Sequence, residues 1–195
     1  MSASPPAQAV DGVAGERAVF HTIGHSNHGL DTLVAMLQSA DIDLVVDVRA
    51  FPRSRSNPQF NIDTLPDALA AHGIGYRHMA GLGGRRASQP ADADNGYWSN
   101  SGFRNFADYA LTADFHAPLA ELRRLGACHR VAIMCSESVW WRCHRRLIAD
   151  YLLASGDTVL HIMDVGKVDP ATMTPSAVPR GDGSLHYPAT QMPLL

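Results

Sequence analysis

The sequence predicts an α/β domain of three layers, with a mainly parallel five-stranded sheet and helices on both faces. Three observations carry this. Short β-branched runs alternate with segments of helical spacing; one run, LVVDVR at 44–49, has few polar interruptions, as in a strand covered on both faces; and polar residues collect just after the strands. Alternation of this kind implies right-handed crossovers that bury both faces of a parallel sheet.

Residues 1–17, rich in Ala, Pro, Ser and Gly, read as a flexible lead-in to a single domain over 18–163. AVFHTIG is the first strand, and Leu30, Leu33, Val34 and Leu37 mark the helix after it. DLVVDVR is the second strand. A long connection then leads to a helix around 62–72, which Gly73 ends. IGYRHM is the third strand. Residues 80–102 have no apolar period and suit a lid or loop. Helical spacing returns at 103–126, as two short helices broken near Pro118. RVAIMC is the fourth strand, 138–154 a helix, and DTVLHIM the fifth strand. The Pro-rich residues 164–195 read as an extended tail.

Composition narrows the class. With 46% hydrophobic and 18% charged residues the chain suits a folded core, and a net charge of −3 speaks against a uniformly basic nucleic-acid coat while allowing a local cationic pocket. Three cysteines are too few for a secreted disulfide framework, so a reduced, cytoplasmic setting is expected. No apolar stretch approaches the roughly 20 residues of a membrane span, and no membrane partner is expected.

In an open parallel sheet, ligands bind beyond the carboxyl ends of the strands. Those positions hold His25 and Ser26, then Asp47 and Arg49, then Gly83, Gly84 and Arg85, then Cys135 and Glu137. Arg49, Arg53, Arg85 and Arg145 offer forked donors that match phosphate or carboxylate, so the expected partner is an anionic small molecule or a nucleic acid. Trp98, Trp140 or Trp141 would stack a nucleobase. Each has a plainer reading, as surface ion pairs or as core aromatics.

Cys135, between a strand and a helix, would feel the helix dipole and a nearby arginine, both favouring thiolate; it is either a nucleophile or redox thiol, or a small buried hydrophobe. Cys135 and Cys143 form a possible redox pair if their Cα atoms come within about 7 Å. Glu137 would stay ionised beside the arginines, or, partly buried near Trp140, would have a raised pKa suited to proton transfer, with Asp47 as the second carboxylate. The structural alternative makes both carboxylates partners of Arg49 and Arg145. Cys135, Cys143 and His144 match no common zinc spacing and lack an evident fourth ligand, so neither metal nor other cofactor is expected.

The blocks TIGHSN, LVVDVRAFPRSRSNPQFN, GIGYRHMAGLGGRR, FRNFADYA and IMCSESVWWRCHRRLIADYL resemble, in order, those of the bacterial domain-of-unknown-function family 488, over residues 20–163. The resemblance implies a compact α/β domain, and it marks His25, Ser26, Asp47, Arg49, Pro52, Ser54, Phe60, Gly83, Gly84, Arg85, Cys135, Glu137, Cys143, His144 and Arg145. It supplies no activity. The residues themselves point to an enzyme acting on a phosphate-bearing ligand, with Cys135, Glu137 and Asp47 as catalytic candidates. A thiol-redox or sulfur-transfer protein and a non-catalytic binding module are the alternatives.

Overall fold

The computed structural model describes residues 17–88 and 95–189, so most of the expected flexible lead-in lies outside the described residues. The first part of the chain forms β1 (Val19–Gly24), α1 (Leu30–Ser39), β2 (Leu44–Asp47), α2 (Leu65–Ala70) and β3 (Gly75–His78). It continues through α3 (Ser101–Tyr109), α4 (Ala113–Gly126), β4 (Val131–Cys135), α5 (Arg145–Ala154), β5 (Thr158–Asp164) and β6 (Lys167–Pro170). A small hairpin, β7 (Val178–Pro179) and β8 (Leu185–His186), closes it.

The sheet runs β3-β2-β4-β1-β5-β6, parallel through β5. Five strands were expected; the sixth, β6, folds back antiparallel on β5 through a tight turn at Gly166, whose φ of 70° suits glycine. Side chains alternate across the sheet. Val45, Ala132 and Met134 pack on Leu33, Leu37 and Leu69 of α1 and α2, whereas Val46, Val131 and Ile133 meet α3, α4 and α5 on the other face. At the centre of the sheet both faces are thus closed to water, which explains the unbroken burial of β2 and β4.

Pro118 does not break a helix. The break falls at residues 110–112, and Pro118 sits inside α4. Proline frees the carbonyl four residues earlier, that of Asp114, and the Tyr109 hydroxyl donates to it at 3.0 Å. The expected single helix over 138–154 is also divided: Trp140–Arg142 make one 3₁₀ turn, Cys143 is extended, and α5 starts at Arg145.

The described part of the segment expected as an extended tail, residues 164–189, packs on the body instead. Leu185 and Tyr187 are fully buried, Tyr187 donates to Asp150 Oδ2 at 3.1 Å, and the Thr174 amide donates to Asp150 Oδ1 at 2.8 Å. Prolines favour extended backbone but do not stop the residues between them from filling a core.

Candidate functional site

The adjacent strands β1 and β4 send their chains to opposite faces, since α1 lies with one core cluster and α5 with the other. Such a divergence opens a crevice at the strand ends. The two exits stay laced together: the His25 amide donates to the Cys135 carbonyl at 2.9 Å, and the Ser26 amide to the Ser136 carbonyl at 3.0 Å. Ser26 takes a left-handed backbone, φ 49°, an uncommon state for a residue with a side chain. Gly24 lies so close to the Glu137 carbonyl that a Cβ would come within 1.9 Å of it.

A cavity of about 850 Å³ fills this crevice. It gathers His25, Ser26, Arg49, Arg53, Arg85, Cys135, Glu137 and Cys143 from separate segments. Asp47 and Arg145, expected beside them, do not line it but lie behind it.

Asp47, fully buried, grips the Arg49 guanidinium, with Oδ2 2.6 Å from Nη2 and Oδ1 2.9 Å from Nε, and also accepts from the Tyr76 hydroxyl at 2.6 Å. Burial, and then the neighbouring Asp47 carboxylate, raise the pKa of that phenol. Arg49 also donates to the Phe60 carbonyl, at 2.7 Å. Its Nη1 lies 3.1 Å from His25 Nε2. Because His25 Nδ1 faces the Ser26 carbonyl at 2.9 Å, that nitrogen carries the hydrogen and Nε2 accepts from Arg49. Burial is the main force pushing the His25 pKa down to about 4, with Arg49 adding to it, so the ring is neutral near pH 7. The expected proton-handling role of Asp47 therefore meets a carboxylate whose oxygens are already engaged.

The two buried thiols are unequal. Cys143, beside Cys135 and under Arg145, has its pKa lowered: the hydrogen bond from Cys135 is the main cause, and Arg145 adds to it. Cys135 is pushed up, first by that same hydrogen bond and then by burial. The sequence offers Cys135 as the thiolate candidate, from a helix start and an arginine beside it, with a small buried thiol as the alternative. With α5 beginning at Arg145, its amino end faces Cys143 instead. Arg145, also buried, directs Nε at Cys143 Sγ, 3.4 Å away, and Nη2 at the Glu137 carbonyl. Cys135, Cys143 and His144 bring their donor atoms within 4.8 Å of one another, and both cysteines are free thiols.

At the rim, Arg53 is tied to Asp63 in an exposed pair. Arg85 lies 5.8 Å over the Phe51 ring. Among the described residues, neither Arg142 nor Glu137 makes a side-chain hydrogen bond or ion pair, and Glu137 is exposed rather than partly buried against Trp140. The tryptophans expected to stack a base are engaged elsewhere: Trp98 is buried and stacked on Phe103 at 5.0 Å, and Trp140 on His161 at 4.3 Å. Trp141 does not line the cavity. Phe51, 71% exposed on the cavity wall, was missed. Its signal was a lone aromatic among Pro, Ser and Arg directly after β2.

Fold and site define an open, mainly parallel α/β domain with an arginine- and thiol-lined cavity at the strand ends. The family model described as "Domain of unknown function DUF488" matches residues 29–152, well over half of the chain, and the chain belongs to that family. No curated protein and no solved structure matches it. Among the described residues, no helix is long and apolar enough to cross a membrane.

Proposed function

We propose that this protein is an enzyme acting on a phosphate-bearing ligand of the nucleotide or nucleic-acid class. One observation carries the reading: among the described residues, Arg85 and Arg142 face the cavity without a carboxylate partner, beside Arg49, whose orientation Asp47 sets. Guanidinium groups that converge on one concavity without internal counter-ions suit an external anion. Arg49 presents a pre-aligned donor, and Arg53 and Arg85 close the rim. Phe51 provides an exposed ring for a base, and Arg85 above it adds a cationic face. Glu137 is the one carboxylate among the described lining residues and is assigned proton transfer. Asp47 and Arg145 act as positioning residues.

A thermal-shift screen of nucleotides and short oligonucleotides tests the binding step. A ligand at 100 times its Kd should stabilise the protein by about 2.7 kcal/mol. The shift should vanish in R85A/R142A, both partners being exposed and outside the core. Turnover of the ligand so found should be lost in E137Q with its shift retained. If no phosphate-bearing compound moves the melting temperature, or if R85A/R142A responds as the parent does, the assignment is wrong.

A further inference from the structure

Two thiols and an imidazole meet on one wall of the cavity. Cys143 Sγ lies 3.6 Å from His144 Nδ1, and the three donor atoms Cys135 Sγ, Cys143 Sγ and His144 Nδ1 or Nε2 are mutually within 4.8 Å. From that bound, some point lies within about 2.8 Å of all three, against bond lengths of about 2.3 Å for zinc to sulfur and about 2.0–2.1 Å for zinc to nitrogen. Small side-chain rotations close the difference.

The surroundings orient the donors as a metal would require. His144 Nε2 sits 3.2 Å from the Val48 carbonyl, which can only accept, so Nε2 carries the hydrogen and Nδ1 turns its lone pair to Cys143. A backbone carbonyl behind a histidine is the usual support for a metal-binding imidazole. Gly84 lies close against the ring, where a Cβ would fall 2.4 Å from Nδ1. Arg145 Nε points at Cys143 Sγ, a donor that supports thiolate.

We infer that Cys135, Cys143 and His144 form a three-ligand site for a soft divalent transition metal ion, with zinc the first choice, whose fourth position opens into the cavity. All three residues line that cavity, so water or an anion can complete the tetrahedron. On binding, both thiols lose their protons to solvent, and the two thiolates cancel the charge of the ion. The metal with its two thiolates then carries no net charge, and its open position faces the same cavity as the arginines. Sequence spacing concealed the site because Cys135 reaches it from β4, while Cys143 and His144 reach it across the intervening 3₁₀ turn.

The test is an anaerobic titration of the reduced, chelator-treated full chain with Co²⁺, followed by competition with Zn²⁺. The expected result is uptake of a single ion, with thiolate-to-cobalt charge-transfer absorption in the near ultraviolet that Zn²⁺ abolishes. C135S, C143S and H144A should each weaken binding by about a hundredfold or more, whereas C128S, altering an exposed thiol that does not line the cavity, should bind as the parent does. R85A/R142A should also keep the cobalt spectrum, which separates this inference from the anion reading. The parent spectrum decides the matter even if a variant fails to fold. Absence of the charge-transfer band, or a binding constant unmoved by C135S and C143S, overturns the site.

Discussion

Asp47 and Arg49, two residues apart at the end of β2, form a buried forked ion pair in which Nη2 and Nε of the arginine meet the two carboxylate oxygens at 2.6 and 2.9 Å. The pair spans the boundary between core and cavity. Its anion is wholly buried and its cation is 6% exposed, so the carboxylate fixes the direction of the guanidinium.

Removing one partner leaves a buried charge without compensation. D47A should therefore destabilise the fold by about 3–5 kcal/mol in urea denaturation. A loss under about 1 kcal/mol would show that Asp47 does not hold Arg49 in place.

His161 predicts an acid sensitivity. It is buried, stacked on Trp140, and its Nδ1 lies 2.8 Å from the Thr22 hydroxyl. Burial first, and Arg145 second, push its pKa from the ordinary 6.5 to about 4. Between those values the unfolded chain binds a proton that the folded chain refuses. Its contribution to stability is complete above about pH 6.5 and is lost as pH falls to about 4. Urea midpoints across this window should fall less steeply for H161Q than for the parent; equal slopes would contradict the assignment.

The Tyr109 hydroxyl serves the carbonyl that Pro118 strands, and it also lies 2.9 Å from the Gly81 carbonyl. Y109F should cost about 1–2 kcal/mol. In a P118A background, where the helix supplies its own donor to Asp114, the same change should cost less. A double-mutant cycle reads this coupling directly, and strict additivity would remove it.

Gly24 predicts a distortion at the cavity. G24A places a methyl group against the Glu137 carbonyl, which Arg145 also contacts, so the loop must move. We expect a loss of about 1–3 kcal/mol, as for other overpacked sites, together with loss of any ligand-induced thermal shift. A variant with parental stability and ligand response would show that the loop yields freely.

Tyr187 tests the carboxyl-terminal packing. Y187A removes a fully buried ring bonded to Asp150, and should cost about 3–5 kcal/mol in equilibrium unfolding. An effect near zero would mean that the segment is peripheral to the cooperative fold.

The sequence by itself determined the α/β class, the five parallel strands and the carboxyl edge where the polar residues gather. Those features follow from local periodicity, which residues such as Val45, Val46 and Ile133 carry on their own. It also marked Arg49, Cys135 and Glu137, because strand ends in a parallel sheet fall on one side. Tertiary structure alone decided what these groups do to one another. Asp47 and Arg145 went behind the cavity, where the fold adds to their near neighbours Arg49 and Cys143 the distant partners Tyr76 and Thr22. The lowered thiol became Cys143 rather than Cys135, because the fold brings the two sulfurs together with Cys135 as the donor and sets Arg145 beside Cys143. Leu185 and Tyr187 joined the core for a similar reason: burial depends on which surface a segment finds, and its prolines do not encode that surface.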